Sequence, residues 1–272
     1  MSSLGRMLGI LDLFTEAQPA WTIDNLVATT GYTRPTLYRY VRELGRAGFL
    51  AKIIGSLYVL GPRFIEIDRQ IRASDPLLRA GRPVVSELFA EDGKTVILCS
   101  LLRDSVICIH RQSAPDVPDQ VGHDRGRAMP LFLSASAKAI LAFLPSPRLR
   151  RLFRGRRAEV RSAKLGRDWE SFKEKLRSIR RNGYAESHGE LVPGLAGIAV
   201  PIFNAERDVL GSVAFVIPEP ELTEERKQFL VAVLKNGAQR MNDALAPLGT
   251  AQNGRASRPI VKRSGRRVKR RG

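Results

Sequence analysis

Apolar residues recur at helical spacing in three stretches of the first 50 residues, and this pattern predicts three helices. The first helix covers residues 4–17. Its predicted inward face consists of Leu4, Met7, Leu8, Leu11 and Phe14. The second helix begins after Thr22, whose hydroxyl can cap free N–H groups, and it ends at Gly31. The third begins after a second capping residue, Thr33, and points Leu37, Val41 and Leu44 inward.

The outward face of the third helix indicates what this unit binds. This face is polar and basic, and it carries Arg34, Thr36, Tyr38, Arg39 and Arg42. Arginine can bond guanine edges or phosphates, and Thr and Tyr hydroxyls commonly bond phosphates. Two short helices joined by a tight turn, the second with such a face, are typical of helix-turn-helix DNA-binding proteins. The alternative is an ordinary helical hairpin with a solvated basic face.

A short hairpin follows and predicts a winged helix over residues 1–62. Apolar runs at 50–54 and 57–60 flank a Gly-Ser turn, and the wing tip can reach the DNA backbone or minor groove. The predicted DNA-contacting residues are Thr22, Thr33, Arg34, Thr36, Tyr38, Arg39, Arg42, Lys52 and Ser56. Because one recognition helix contacts only a short half-site, we expect a dimer and a near-palindromic double-stranded operator.

Beyond the wing, the pattern changes to longer strands and helices. Residues 63–76 are predicted to form a linker helix, and residues 77–248 a second domain. That domain has predicted strands at 95–102, 105–110, 184–188, 198–203 and 209–217, a small-residue helix at 134–144 and a long helix at 223–245. Helices gathered around sequential hairpins indicate an α+β domain with an antiparallel sheet flanked by helices. Residues 249–272 lack apolar periodicity, which predicts a disordered basic tail.

The composition adds a strong positive charge that lies mostly outside the helix-turn-helix. The chain has 45 basic and 27 acidic residues, a net charge of +18, which favours a polyanionic partner. Residues 1–62 carry only +2, whereas residues 146–181 carry +10 and residues 255–272 carry +9. A non-specific nucleic-acid-binding protein is therefore a second hypothesis.

No motif in the sequence favours catalysis or metal binding. His110, His123 and His188 are separated in sequence, and no nucleophile motif accompanies them. Cys99 and Cys108 lie in apolar runs without metal-ligand spacing, so they are interpreted as buried, reduced residues. An enzyme acting on small acids, with an accessory DNA-binding domain, is the remaining alternative; we predict no catalytic residue, metal or cofactor. Without a signal peptide or an apolar span, a cytoplasmic location and no membrane partner are expected.

Five segments of the chain, taken in order, resemble the IclR family of bacterial transcriptional regulators. They are TGYTRPTLYRYVRELGRAGFL, YVLGPRFIEI, RAMPLFLSASAKAILAFLP, RRNGYAESHGELVPGLAGIAVPIF and GSVAFVIP. The resemblance implies a GAF-like effector-binding domain, homodimers that often pair into homotetramers, and control of a catabolic operon by a small organic acid. Pro35 stands where the family usually has Ser, which removes a hydroxyl and an N–H from the phosphate-facing turn.

The resemblance also implies an effector cavity between the 134–144 helix and the final strands. The matching positions are Leu131, Ala135, Ser136, Ser187, Leu195, Gly197, Ala214 and Val216. Only the serines keep a polar side chain here, and backbone N–H groups at the helix start are expected to hold a carboxylate. We therefore expect a dry, roomy pocket for an aromatic or longer aliphatic acid. The alternative is that Ala214 and Val216 only pack the core.

Overall fold

The chain folds into two compact units that divide between Asp75 and Pro76. The structure, a computed structural model, describes residues 2–113 and 124–252. Most of the loop predicted at 114–127, including His123, lies outside the described residues.

The N-terminal unit is a winged helix followed by one further helix. Its elements are α1 (Ser3–Leu8), α2 (Ile23–Thr30), α3 (Arg34–Arg46), β1 (Leu50–Lys52), β2 (Tyr58–Leu60) and α4 (Arg63–Ser74). The strands pair antiparallel, with Lys52 opposite Tyr58. One buried cluster joins α2, α3 and the hairpin to residues 10–14, the segment that follows α1. It contains Ile10, Phe14, Ile23, Leu26, Leu37, Tyr40, Val41, Leu44 and Leu50.

The first helix is shorter than the sequence pattern predicts. It ends at Leu8, and a 3₁₀ turn follows at Leu11–Leu13. Leu4 and Leu8 are 69% and 52% exposed, so their predicted inward orientation was wrong. Phe14 is buried in the core as predicted, and Ile10, which was not among the predicted inward residues, is buried there as well. The change from α-helical to 3₁₀ geometry alters which positions face inward, and a single 3.6-residue period over 4–17 could not anticipate it.

Capping and strand pairing fix the second helix against the wing. The Thr22 hydroxyl accepts a hydrogen bond from the Asn25 N–H at 3.2 Å, as predicted for an N-cap. Gly31 ends the helix in the left-handed region, with φ 69°. Just before the helix, Trp21 exchanges backbone hydrogen bonds with Tyr58 of β2, at 3.0 and 2.8 Å. These contacts set the position of the helix-turn-helix relative to the hairpin.

The C-terminal unit is built on one antiparallel sheet with strand order β5-β4-β3-β8-β7-β6. Its strands are β3 (Thr95–Leu102), β4 (Ser105–Gln112), β5 (Ala128–Met129), β6 (Ala185–His188), β7 (Leu195–Phe203) and β8 (Val209–Pro218). Its helices are α5 (Pro76–Asp92), α6 (Ala135–Leu141), α7 (Ser146–Gly155), α8 (Arg157–Ser162), α9 (Trp169–Asn182) and α10 (Glu224–Gln252). The predicted α+β class is confirmed.

Both faces of the sheet are covered by helices, which explains why its strands are almost continuously apolar. Val96 and Leu98 point toward the cluster that includes α5 and α10, whereas Ile97 and Cys99 point toward α6 to α9. Successive strand residues face opposite sides, so alternate positions of one strand enter two cores. The start of α6, the start of β7 and the end of β8 consequently meet on the second face.

The last helix extends beyond its predicted end. The Thr223 hydroxyl accepts a hydrogen bond from the Arg226 N–H at 3.2 Å and so caps the start of the helix. The helix continues to Gln252, so residues 249–252 are helical and not part of a disordered tail. Extending a formed helix is easier than starting one, so Gly249 does not end it. The rest of the predicted tail, residues 253–272, lies outside the described residues.

Candidate functional site

An open groove of about 640 Å³ lies between α3 and the β1–β2 hairpin. Its lining contains four of the predicted DNA-contacting residues, namely Tyr38, Arg39, Arg42 and Lys52. All four are exposed. Tyr58 also lines the groove and was missed by sequence reasoning, although its register opposite Lys52 in the predicted hairpin could have indicated it. Helix and wing thus share one cationic, solvated surface.

The other predicted DNA-contacting residues lie outside the lining of this groove. Thr22 caps α2. Thr33 occupies the N-cap position of α3, but its hydroxyl bonds the Thr36 hydroxyl at 2.9 Å instead of a backbone N–H, so the predicted cap bond is absent. Pro35 in that first turn has no N–H to donate. Ser56 is exposed at the wing tip, with an unusual positive φ of 63°.

Arg34 and Arg39 are each held by a neighbouring side chain. Arg34 forms an ion pair with Asp24 of α2, and both side chains are largely exposed. A phosphate or guanine must therefore compete with a carboxylate for Arg34. The Arg39 guanidinium lies 5.5 Å from the Tyr40 ring centroid. Tyr40 is anchored by a 3.0 Å contact to the Ser3 hydroxyl, and this hydrogen bond lowers the pKa of Tyr40.

The cavity predicted in the second unit is present but nearly closed. A space of about 20 Å³ is lined by Ala135, Ser136, Ser187, Leu195, Gly197, Ala214 and Val216. Such a volume holds about one water molecule, so the prediction of a roomy pocket was wrong. Leu131, the remaining predicted residue, is buried in the core and does not line the cavity.

Direct packing of α6 and of the loop 189–194 closes the cavity. A Cβ at Gly197 would lie 2.8 Å from the Ser187 Oγ and 3.2 Å from the Ala135 Cβ. Leu191 and Val192 of the loop contribute to the lining. Sequence reasoning missed both, although an apolar pair in a loop with Gly at each end suggests inward-facing side chains.

An ion pair between buried Lys138 and partly exposed Glu190 connects the loop to α6. The Lys138 side chain is only 8% exposed and pairs with Glu190. Its Nζ also donates to the carbonyl oxygen of Glu186 at 3.1 Å. Glu190 in turn accepts a hydrogen bond from the His188 N–H. Because an unpaired buried charge is costly, Lys138 and Glu190 hold the loop over the cavity. In the sequence, a single Lys among the small residues of this helix could have indicated a buried cation that needs an acidic partner.

The two cysteines sit beside the cavity as buried structural residues. Cys99 and Cys108 lie opposite each other on β3 and β4 as free thiols. Burial raises the pKa of the Cys99 thiol, which disfavours the reactive thiolate. Across the described parts of the chain, no three His, Cys, Asp or Glu residues cluster so as to hold a metal ion. In those same parts, no helix has the length and apolarity to span a membrane.

Two protein-family models match the chain. One, the IclR helix-turn-helix domain, matches residues 3–53, and the other, the bacterial transcriptional regulator IclR C-terminal domain, matches residues 71–242. The chain belongs to the IclR family. The first match includes α3 and β1, which line the groove, and the second includes every residue that lines the cavity.

Individual relatives agree with this assignment to the IclR family. The chain is 28% identical over 240 residues to the HTH-type transcriptional regulator KipR of Bacillus subtilis strain 168, covering 87% of this chain and 94% of KipR. A crystal structure of an IclR transcriptional regulator from Alicyclobacillus acidocaldarius has a TM-score of 0.74 at 25% identity, over 90% of this chain and 98% of that one. These relatives are transcriptional regulators and not enzymes, as the sequence predicts.

One further solved structure contains a ligand. It is an IclR homolog from Microbacterium hydrocarbonoxydans complexed with 4-hydroxybenzoate. Its TM-score is 0.71 at 23% identity, over 90% of this chain and 99% of that one.

Proposed function

We propose that this IclR-family regulator binds a near-palindromic operator through the α3–wing groove and that a small organic acid in the cavity beside α6 controls this binding. The observation that carries the proposal is the convergence of Tyr38, Arg39, Arg42 and Lys52 on one exposed groove. Guanidinium, ammonium and phenol groups are the donors that contact phosphates and guanine edges. The regulated genes would form a catabolic operon for the acid.

A homodimer is part of this proposal. Leu4 and Leu8 on α1, and Ile65 and Ile71 on α4, are apolar side chains between 45% and 74% exposed. Apolar residues grouped on exposed helices support contact with a second copy of the chain. Two copies would present two recognition helices, which matches a near-palindromic operator. Light scattering of the full-length protein distinguishes a dimer from a tetramer.

The proposed effector is an acid with an aromatic or longer aliphatic body. Most of the cavity lining is apolar. Its polar side chains are the hydroxyls of Ser134, Ser136 and Ser187. Because the cavity of about 20 Å³ is too small for such an acid, the loop 189–194 must move. If the carboxylate of the effector replaced that of Glu190 as the partner of Lys138, the ion pair that holds this loop would break and the loop would be released. The 4-hydroxybenzoate complex of the Microbacterium homolog supports an aromatic acid.

Calorimetric titration of the full-length protein tests the effector proposal. The panel contains benzoate, 4-hydroxybenzoate, longer aliphatic acids and the small oxo-acids glyoxylate and pyruvate. We expect saturable binding of an aromatic or longer aliphatic acid, with the acid recovered chemically unchanged. Tight binding of only the smallest oxo-acids would contradict the proposal, and consumption of the acid would favour an enzyme.

A further inference from the structure

A second basic surface lies on α7 and α8 of the C-terminal unit. The inward side of α7 buries Leu149, Leu152 and Phe153. On the outward side of the two helices, Arg150, Arg154, Arg157 and Arg161 are all exposed. The helix-turn-helix does not account for this concentration of arginine.

Two of these arginines are supported by a pair of aromatic rings. The Arg150 guanidinium lies 4.9 Å from the Trp169 ring centroid, and the Arg157 guanidinium lies 5.6 Å from that of Phe153. The two rings pack edge to face, with centroids 5.7 Å apart. Phe153 is buried in the core of the unit. We call these four side chains the arginine stack. A stacked guanidinium is partly ordered before it binds, while its N–H edge can still donate hydrogen bonds.

The arginine stack also lacks acidic partners. Among the described residues, no carboxylate lies within 4.0 Å of the guanidinium of Arg150, Arg154 or Arg157. The arginines of α9 differ, because Arg177 and Arg181 pair with Glu174 at 3.5 and 3.0 Å. Those ion pairs hold the pKa of Glu174 below its usual range, chiefly through Arg181. The stack therefore offers positive charge that no described carboxylate neutralises.

We propose that the arginine stack and Arg154 bind the phosphate backbone of double-stranded DNA, independently of its sequence. A guanidinium fork matches two phosphate oxygens, and charge-assisted bonds of this kind are the strong ones. DNA is the partner that the chemistry favours, because a chain bound to an operator through α3 has DNA at a high local concentration. That last argument rests on the proposed function. The inference goes beyond it, because operator selectivity does not require this second contact.

Two double variants with the same loss of charge test the inference. Arg150→Gln/Arg157→Gln removes the stacked guanidiniums, and Arg177→Gln/Arg181→Gln removes two paired ones. Each full-length variant is titrated by fluorescence anisotropy against a random-sequence duplex of roughly 60 base pairs, across a salt series. We expect the first variant to lower the log–log salt slope by about 2 and to weaken binding about tenfold or more at low salt. The second variant should leave the slope close to that of the wild type.

Arg154→Gln separates the contact from an effect on folding. Within the described parts of the chain, the guanidinium of Arg154 stacks on no aromatic ring, unlike those of Arg150 and Arg157. Its loss should therefore leave the packing of Phe153 and Trp169 intact, and we expect a fall of about 1 in the slope. A wild-type slope in the stack variant and in Arg154→Gln would overturn the inference and leave an acidic protein as the partner class to examine. Equal falls in the two double variants would also overturn it, because bulk charge alone would then explain the binding.

The same titration with Arg39→Ala keeps the two proposals separate. If the proposed recognition helix is correct, Arg39→Ala should weaken binding to a selected operator about tenfold while retaining most binding to the random duplex. The stack variant should weaken binding to the random duplex and retain the preference for the operator. Either proposal can therefore be refuted while the other stands.

Discussion

The α3–wing groove and the cavity beside α6 differ in nearly every physical property. The groove is open, measures about 640 Å³ and is lined by solvent-exposed Arg and Lys side chains. The cavity measures about 20 Å³ and is lined mostly by buried apolar groups. DNA presents a large, rigid, anionic surface, so a site for it can be formed in advance and remain in water. A small ligand gains affinity only when it is buried, so its site must close around it. In the proposed function, the chain thus combines a preformed DNA-binding surface with an effector site that has to open.

The two sites also treat positive charge differently. Arg39 and Arg42 are exposed, and little desolvation opposes their binding to a phosphate. Lys138 is nearly buried and depends on Glu190 as its partner. Removing one member of a buried pair leaves an uncompensated charge, whereas removing one member of an exposed pair has little effect. Substitutions in the groove should therefore change DNA affinity, whereas substitutions beside the cavity should change effector affinity or the free energy of unfolding.

The largest expected effect is on DNA affinity. Arg34→Ala and Arg39→Ala should each weaken operator binding about tenfold, and together about a hundredfold if they act independently. Arg46→Ala is the matched control, because Arg46 is exposed at the far end of the same helix and is not one of the predicted DNA-contacting residues. Anisotropy titrations on one operator duplex measure all four variants. Wild-type affinity in both single variants would refute the assignment of α3 as the recognition helix.

A smaller effect is expected from filling the cavity. The Cβ of Gly197→Ala would press on the Ser187 Oγ, so effector affinity should fall about tenfold or more, while DNA affinity without effector stays unchanged. Calorimetry with the acid that the wild type binds gives the measurement.

Gly237→Ala controls for overpacking elsewhere in the same unit. Its Cβ would lie 2.9 Å from the Val84 Cγ1, on the opposite side of the sheet from the cavity. Effector affinity should therefore remain that of the wild type. Equal losses in the two glycine variants would show that general strain, and not occupation of the cavity, weakens binding.

Next in size is the effect of releasing the loop. Glu190→Gln should lower the free energy of unfolding by about 1–3 kcal/mol, because the buried Lys138 loses its carboxylate partner. Amide hydrogen exchange in the loop 189–194 should become faster. Glu87→Gln, which breaks an exposed pair with Arg240, should change neither quantity appreciably. Unchanged exchange in Glu190→Gln would mean that apolar packing alone keeps the loop closed.

The smallest expected effect comes from freeing Arg34. Asp24→Asn removes the carboxylate that competes with DNA for Arg34, and with it one negative charge that would repel the DNA phosphates. We expect operator affinity to rise roughly two- to fivefold, with a steeper salt dependence. Asp12→Asn, which removes an exposed charge outside this ion pair, should have a weaker effect. A fall in affinity on Asp24→Asn would indicate that the ion pair positions Arg34 for DNA.

Local patterns predicted the DNA-binding unit well and the cavity only in part. The caps at Thr22 and Gly31 and the stripe of α3 are encoded within a few residues, so periodicity and residue type identify them. The positions around the cavity followed from family resemblance, but its volume did not. The volume depends on how Leu191 and Val192 pack and on a pair, Lys138 with Glu190, separated by about 50 positions in the sequence. Contacts over such distances leave no periodic signal.

The central claim is that the open groove beside α3 selects the DNA sequence. Selection of binding sites from a pool of random duplexes, carried out in parallel with wild-type protein and Arg39→Ala, tests it most directly. We predict that the wild type enriches a near-palindromic sequence and that Arg39→Ala enriches none, or one altered at the contacted base pairs. Enrichment of the same sequence by both proteins, or of no sequence by the wild type, would contradict the account.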